Sequence, residues 1–125
     1  MKTYLFTMPL MAGKREAWRS YIEEVNGPRI DEYKKSRKRA GIEGEQVFLQ
    51  QTPKGDFCVI SWKTRDPQKA FQTFMTSDEP FDKWFREKFL VEAHGMDLSS
   101  PPPPLNENVV DYQETPTKEF AKTGK

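Results

Sequence analysis

The chain has little of what metal, disulfide and redox sites are made from, because its 125 residues include one cysteine and one histidine. One histidine and one cysteine cannot supply the three or four ligands of a zinc site. Cys58 also lies in an apolar stretch, residues 57–62, where a small thiol usually packs as an inert hydrophobe. We therefore expect no metal, no cofactor and a reducing location, the cytoplasm.

The chain also lacks an excess charge and a long apolar run. Twenty basic and nineteen acidic side chains leave a formal charge of +1, so no strong field favours nucleic acid or an acidic membrane. No segment approaches the ~18 apolar residues of a membrane span. The short apolar run near the start contains Thr7 and Pro9, which favours a strand over a secretory signal. Neither nucleic acid nor membrane is an expected partner.

Short catalytic motifs are missing as well: the sequence contains no P-loop, GxSxG, HExxH or GxGxxG pattern. One charge run stands out, in residues 34–39. Such a run can bind phosphates, but no glycine-rich loop or nucleotide-stacking motif accompanies it. Basic side chains are also favourable where a helix ends. We predict a solvated helix face formed by Lys34, Lys35, Arg37, Lys38 and Arg39.

What the sequence does have is an ordered alternation of strand and helix patterns. The order is βαββαβ, the ferredoxin-like arrangement, which predicts an α+β fold with a four-stranded antiparallel sheet and helices on one face. One domain covers residues 1–113, and a flexible tail covers residues 114–125. The predicted strands are residues 4–11, residues 46–51, a third that begins at Phe57, and residues 108–112. The predicted helices are one long region interrupted at 26–28 and two shorter helices after Asp66.

The third strand has large apolar groups on both faces, since Val59 alternates with Ile60 and Phe57 with Cys58. Helices on one side would leave the other side of such a sheet in water. We therefore predict that a second copy of the chain covers that side. The expected assembly is a homodimer.

Taken with this topology, residues 2–112 resemble the dimeric α/β-barrel superfamily, which includes antibiotic-biosynthesis monooxygenases and haem-degrading monooxygenases. The most local likeness is VISWKTRDPQKAFQTFMTSDEPFDKWF, where a strand ends near a tryptophan and a Ser-Asp step precedes a helical turn. An uncharacterised bacterial family shares the SD-x-P pattern. The haem-degrading branch uses an asparagine, a tryptophan and a histidine. Only Trp62 has a counterpart here, and Phe85 stands where the histidine would fall, so the resemblance implies no haem.

Two sets of residues could carry chemistry. His94 lies near Glu92 and Asp97 and could act as a general base. A histidine in the last turn of a helix also simply favours the helix dipole. A set of aromatic side chains could line a pocket for a flat hydrophobic ligand, although aromatic stripes at helical spacing usually form core. The members of this set are Trp62, Phe74, Phe81, Trp84 and Phe85.

These patterns leave two functions open. The first is a small dimeric barrel protein of unknown function, with a binding or structural role and without a catalytic constellation. The second is an enzyme similar to the cofactor-independent monooxygenases, acting on a small hydrophobic or aromatic substrate. The sequence leaves open whether the protein is an enzyme.

Overall fold

A computed structural model describes residues 1–114 of the chain. Within these residues the strands and helices follow one another in the predicted order as far as the last helix. A π-helix, Arg86–Ala93, follows directly on that helix. The elements before it are β1 (Lys2–Pro9), α1 (Arg15–Asn26), α2 (Ile30–Arg39), β2 (Ile42–Thr52), β3 (Gly55–Thr64), α3 (Pro67–Thr76) and α4 (Pro80–Phe85).

The three strands form one antiparallel sheet in the order β1-β3-β2. The hairpin between β2 and β3 turns at residues 53–54, as the short proline and glycine loop predicts. β1 lies on the other side of β3, with Phe6 opposite Ile60 and Met8 opposite Cys58. Pro9 is the last residue of an edge strand of this sheet, where its missing N–H costs no ladder bond.

The helix boundaries follow local sequence signals. α1 ends at Asn26, and Gly27 and Pro28 separate it from α2, because a proline cannot continue the hydrogen bonds of the preceding turn. α3 begins after Asp66, whose carboxylate accepts a 3.0 Å bond from the N–H of Lys69. This cap and the proline at the first helical position are both predicted from the sequence.

The two faces of the sheet differ. The inner face packs against the helices and carries the core, with Phe6, Met8, Ile60 and Trp62 buried. The outer face carries alternate residues of the same strands. Among these, Phe48 is 55% exposed and Leu5 is 39% exposed. The single chain therefore leaves apolar side chains uncovered on one side of its sheet, as the pattern of β3 predicts.

The four-stranded sheet is not formed by the described residues. Residues 108–112, predicted as the last strand, are irregular, and the chain is tied to β1 only near Asn106, whose N–H donates to the carbonyl of Leu5 at 2.6 Å. The apolar side chains of this segment are not packed against the rest of the chain: Val109, Val110 and Tyr112 are each 79–80% exposed. The predicted tail lies, apart from Glu114, outside the described residues.

A buried carboxylate that was not predicted from the sequence fixes α4 against α2. Asp82 of α4 is 1% exposed in its side chain and accepts bonds from Ser36 at 2.5 Å, Ser77 at 2.6 Å and Arg39 at 3.0 Å. Burial raises the pKa of Asp82, but these donors outweigh burial and leave it below its ordinary value. The charged network holds the two helices at a fixed spacing above the sheet.

Candidate functional site

A cavity of about 220 Å³ lies between the inner face of the sheet and the helices. Its walls are mainly aromatic and aliphatic, which is typical of sites for small molecules. Asn26 at the end of α1 and Val47 of β2 line the cavity and are exposed, so we place the mouth between them. The rest of the lining is Phe6, Met8, Trp18, Ile22, Val25, Tyr33, Arg37, Glu45, Cys58, Ile60, Trp62, Phe71, Phe74, Phe85, Phe89, Leu90 and His94.

An ion pair is buried in the wall at one end of the cavity. Nε of Arg37 lies 2.8 Å from Oε1 of Glu45, and their side chains are only 7% and 6% exposed. Two neighbours donate further hydrogen bonds to the Glu45 carboxylate: the Tyr33 hydroxyl donates to Oε1 at 2.6 Å, and the Trp62 indole donates to Oε2 at 2.8 Å. Buried charges require such partners, because desolvation is otherwise costly.

The electrostatics of this end keep Glu45 ionised. Burial raises the pKa of Glu45, but the charge of Arg37 and the three hydrogen bonds outweigh it, so the pKa lies below its ordinary value. Burial, followed by the nearby Glu45 charge, raises the pKa of Tyr33 well above that of a free phenol. Neither group exchanges protons near neutral pH. This end of the cavity therefore holds fixed polar groups that can orient a ligand.

The guanidinium of Arg37 is held among aromatic rings. Its central carbon lies 4.7 Å from the ring centre of Tyr33, 4.6 Å from that of Phe74 and 4.4 Å from that of Phe85. Nη1 donates to Ser36 at 3.1 Å. Among residues 1–114, no side chain or carbonyl accepts a hydrogen bond from Nη2. A buried cation that lines a cavity therefore has donors left for a ligand.

His94 lies toward the other end of the cavity, where the π-helix ends. Its Nδ1 is 2.8 Å from the carbonyl oxygen of Pro9. Burial lowers the pKa of His94, more than this bond raises it, so the ring is neutral at pH 7. A carbonyl can only accept, so the proton lies on Nδ1 and the lone pair lies on Nε2.

The π-helix brings His94 onto the cavity wall. Its hydrogen bonds reach back five residues, as from the N–H of His94 to the carbonyl of Phe89 at 3.0 Å. A helix of this kind repeats roughly every 4–5 residues, so Phe85, Phe89 and His94 share one face. Helices of this type often occur at functional sites. The predicted helical stripe is therefore α-helical only as far as Phe85.

The cavity wall contains no reactive thiol. Cys58 is fully buried, and burial, followed by the charge of Asp56, raises the pKa of its thiol to about 12. A thiol of this kind is not a nucleophile at neutral pH. Within residues 1–114, no three or more His, Cys, Asp or Glu side chains form a group that could hold a metal ion. No helix in that part of the chain is long and apolar enough to cross a bilayer.

Four of the six residues singled out from the sequence line this cavity: Trp62, Phe74, Phe85 and His94. Among the described residues, Phe81 and Trp84 are not part of the lining. They pack behind it instead, with ring centres 5.6 Å apart, and Phe81 also lies 6.2 Å from the ring of Phe85.

The charged end of the cavity was not predicted from the sequence, and the predicted solvated face at residues 34–39 is wrong at one position. Arg37 is not on a solvated face but is buried. A signal for this was present, since Arg37 falls at helical spacing between Tyr33 and Ala40, two residues of the buried stripe. Glu45 was missed because the strand was expected to begin one residue later. Its alternation with Val47 and Leu49 places all three on the inner face.

No protein-family model matches the chain, and the comparison with curated proteins gave no match. Among solved structures, the chain is similar to the crystal structure of an L-rhamnose mutarotase from Formosa agariphila. The two share 15% sequence identity with a TM-score of 0.61, over 90% of this chain and 100% of that one. At this identity the likeness shows the fold alone. The chain has a ferredoxin-like α/β fold.

The buried ion pair predicts how stability depends on pH. Replacing Glu45 with glutamine leaves Arg37 buried without a counter-charge, which we expect to lower the free energy of unfolding by about 3–5 kcal/mol at pH 7. The folded pKa of Glu45 lies below its unfolded value, so its contribution is present above pH ~4.3 and is lost as the pH falls through the folded pKa. Urea unfolding of both proteins between pH 7 and 3 measures this difference.

The matched control is Glu43→Gln, an exposed carboxylate on the same strand, which should change stability by less than about 0.5 kcal/mol. A Glu45→Gln protein as stable as the control at pH 7 would contradict the assignment of a buried, charged Glu45.

Proposed function

We propose that this protein binds a small, flat, largely apolar molecule in the cavity, with an uncharged oxygen of the ligand seated against Arg37. The observation that supports this most is the buried guanidinium, whose Nη2 has no acceptor among residues 1–114 although it lines an apolar cavity. A ligand oxygen would satisfy those donors. The aromatic walls would cover the remainder of a flat molecule.

The charge at this end favours a neutral group over an anion. Arg37 and Glu45 together carry no net charge, so a carboxylate or phosphate would add an unbalanced negative charge beside Glu45. A carbonyl or ether oxygen accepts the same hydrogen bonds without that cost. Trp62 and Cys58 both line the cavity and are four residues apart on one strand, so their Cα atoms are about 13 Å apart, which leaves room between them for two fused rings.

The lining does not suit a sugar. The mutarotase of similar fold acts on L-rhamnose, as its name says. A pyranose in this cavity would place most of its hydroxyls against aromatic and aliphatic side chains such as Phe6, Ile60 and Leu90. Each buried hydroxyl without a partner costs free energy. We therefore propose an apolar ligand in place of a sugar.

One observation favours an enzyme as the second candidate. A cofactor-independent monooxygenase uses electrons from the substrate itself, once a base has removed a proton and dioxygen has entered. His94 is neutral and lines the cavity, so it could serve as that base. Fold likeness adds little, because one fold hosts many activities. Binding remains the function that the cavity supports better.

The proposal predicts binding of coumarin, a flat bicyclic molecule with a carbonyl at one end. Equilibrium dialysis should give a dissociation constant for coumarin roughly 10-fold or more below that for naphthalene, which lacks the oxygen. L-rhamnose should not bind at millimolar concentration. Arg37→Lys keeps the charge beside Glu45 but loses the Nη2 donors, so it should reduce the preference for coumarin over naphthalene.

Two substitutions test whether the ligands bind in the cavity. Ile22→Phe adds volume to the lining and should abolish binding of both aromatic ligands. Ile30→Phe is the matched control, since Ile30 is equally half-buried but is not part of the lining, and it should leave binding unchanged. Equal effects of the two substitutions, or tight binding of L-rhamnose by the unaltered protein, would contradict the proposal.

We also propose that the outer face of the sheet pairs with a second copy of the chain. The exposed Phe48 lies opposite Val59 in the register, and Leu5 is exposed on the same face. An apolar sheet face of this kind is a common interaction surface. The fourth strand expected at residues 108–112 would then form only in the dimer, where its valines gain a surface to cover.

The dimer predicts that light scattering at micromolar concentration gives twice the mass of the chain. Phe48→Lys places a charge on the outer face, next to Val59 of the central strand, and should yield a monomer. Gln72→Lys adds the same charge at an exposed position on α3, so it should leave the dimer intact. A monomeric unaltered protein would contradict this part of the proposal.

A further inference from the structure

His94 lines the cavity without a role in the binding described so far. Its Nδ1 is committed to the carbonyl of Pro9 at 2.8 Å. The strand that contains Pro9 is fixed in turn, because the next residues bond to other elements: Leu10 to the carbonyl of Asp56 at 2.9 Å and Met11 to that of Ala93 at 2.8 Å. The ring is therefore held in one orientation and one tautomer.

The nitrogen that this ring can offer a ligand is Nε2, which is an acceptor. Among the described residues no donor reaches Nε2. The two polar ends of the cavity are thus complementary in kind. Both residues line the cavity: Arg37 has N–H donors to spare, and His94 has a lone pair to spare.

We infer that His94 is a specificity-determining residue, which selects ligands with a hydroxyl at the end opposite to the oxygen on Arg37. The ligand class is then a flat bicyclic compound with a carbonyl or ether oxygen at one end and a neutral hydroxyl at the other. This inference rests on the proposed function. An ionised hydroxyl is disfavoured, since it has no proton to donate and faces a lone pair within an apolar wall.

The probe is 7-hydroxycoumarin, which has the hydroxyl opposite the carbonyl, compared with 7-methoxycoumarin, in which the donor is blocked. Equilibrium dialysis should show that the protein binds the hydroxy compound roughly 10-fold more tightly than the methoxy compound. His94→Phe keeps a flat ring and removes the acceptor, and the ratio of the two dissociation constants should fall to about 1. His94→Gln, which retains an acceptor, should restore part of the preference.

A second readout tests the tautomer itself. The excitation spectrum of 7-hydroxycoumarin distinguishes its neutral form from its anion, and at a pH where the free probe is half ionised, the unaltered protein should enrich the neutral form more than His94→Phe does. Equal enrichment by the two proteins would overturn the inference, because burial in an apolar cavity by itself disfavours the anion. Equal binding of both coumarins would also overturn it but would leave the proposed function standing. Failure of every coumarin to bind would instead contradict the proposed function.

Discussion

The arrangement depends on one interaction, the ion pair between Arg37 and Glu45 in the wall of the cavity. Both side chains are almost completely removed from solvent, and each is stabilised by the other and by neighbouring donors or rings. Because an unpaired buried charge is very costly, the pair fixes α2 against β2 and holds one end of the cavity in place. An entirely apolar wall could not hold these two charges. Their burial requires hydrogen-bond partners at fixed positions within a wall that is otherwise apolar.

The two faces of the sheet differ in the side chains that they carry. The inner face of the sheet, with the helices above it, encloses a cavity whose polar groups differ in kind from end to end, Arg37 as a donor and His94 as an acceptor. The outer face carries the exposed Phe48 and Leu5 among short or uncharged polar side chains such as Thr7 and Gln46. In the proposed function, the first face binds the ligand and the second associates with another copy of the chain.

Much of the fold could be predicted from residue patterns, because alternation in β3, the break at Gly27 and Pro28 and the cap at Asp66 are local signals. The fourth strand predicted at residues 108–112 is not formed by the described residues, where Val109 and Val110 stay exposed. The π-helix could not be predicted, because the spacing of the aromatic residues up to Phe85 is α-helical. At the site, aromatic residues were found by their spacing. Arg37 was not predicted to be buried, because it belongs to a basic run, and this was given more weight than its helical spacing from Tyr33 and Ala40.

A double-mutant cycle on Arg37 and Glu45 tests the central claim most directly. The free energy of unfolding is measured at pH 7 for the unaltered protein, Arg37→Met, Glu45→Met and the double variant. If the pair is buried and mutually dependent, each single change is severe, the double variant recovers part of the loss, and the coupling free energy is roughly 2–3 kcal/mol. A coupling below about 0.5 kcal/mol would show that the two charges are solvated independently and would contradict this account of the cavity.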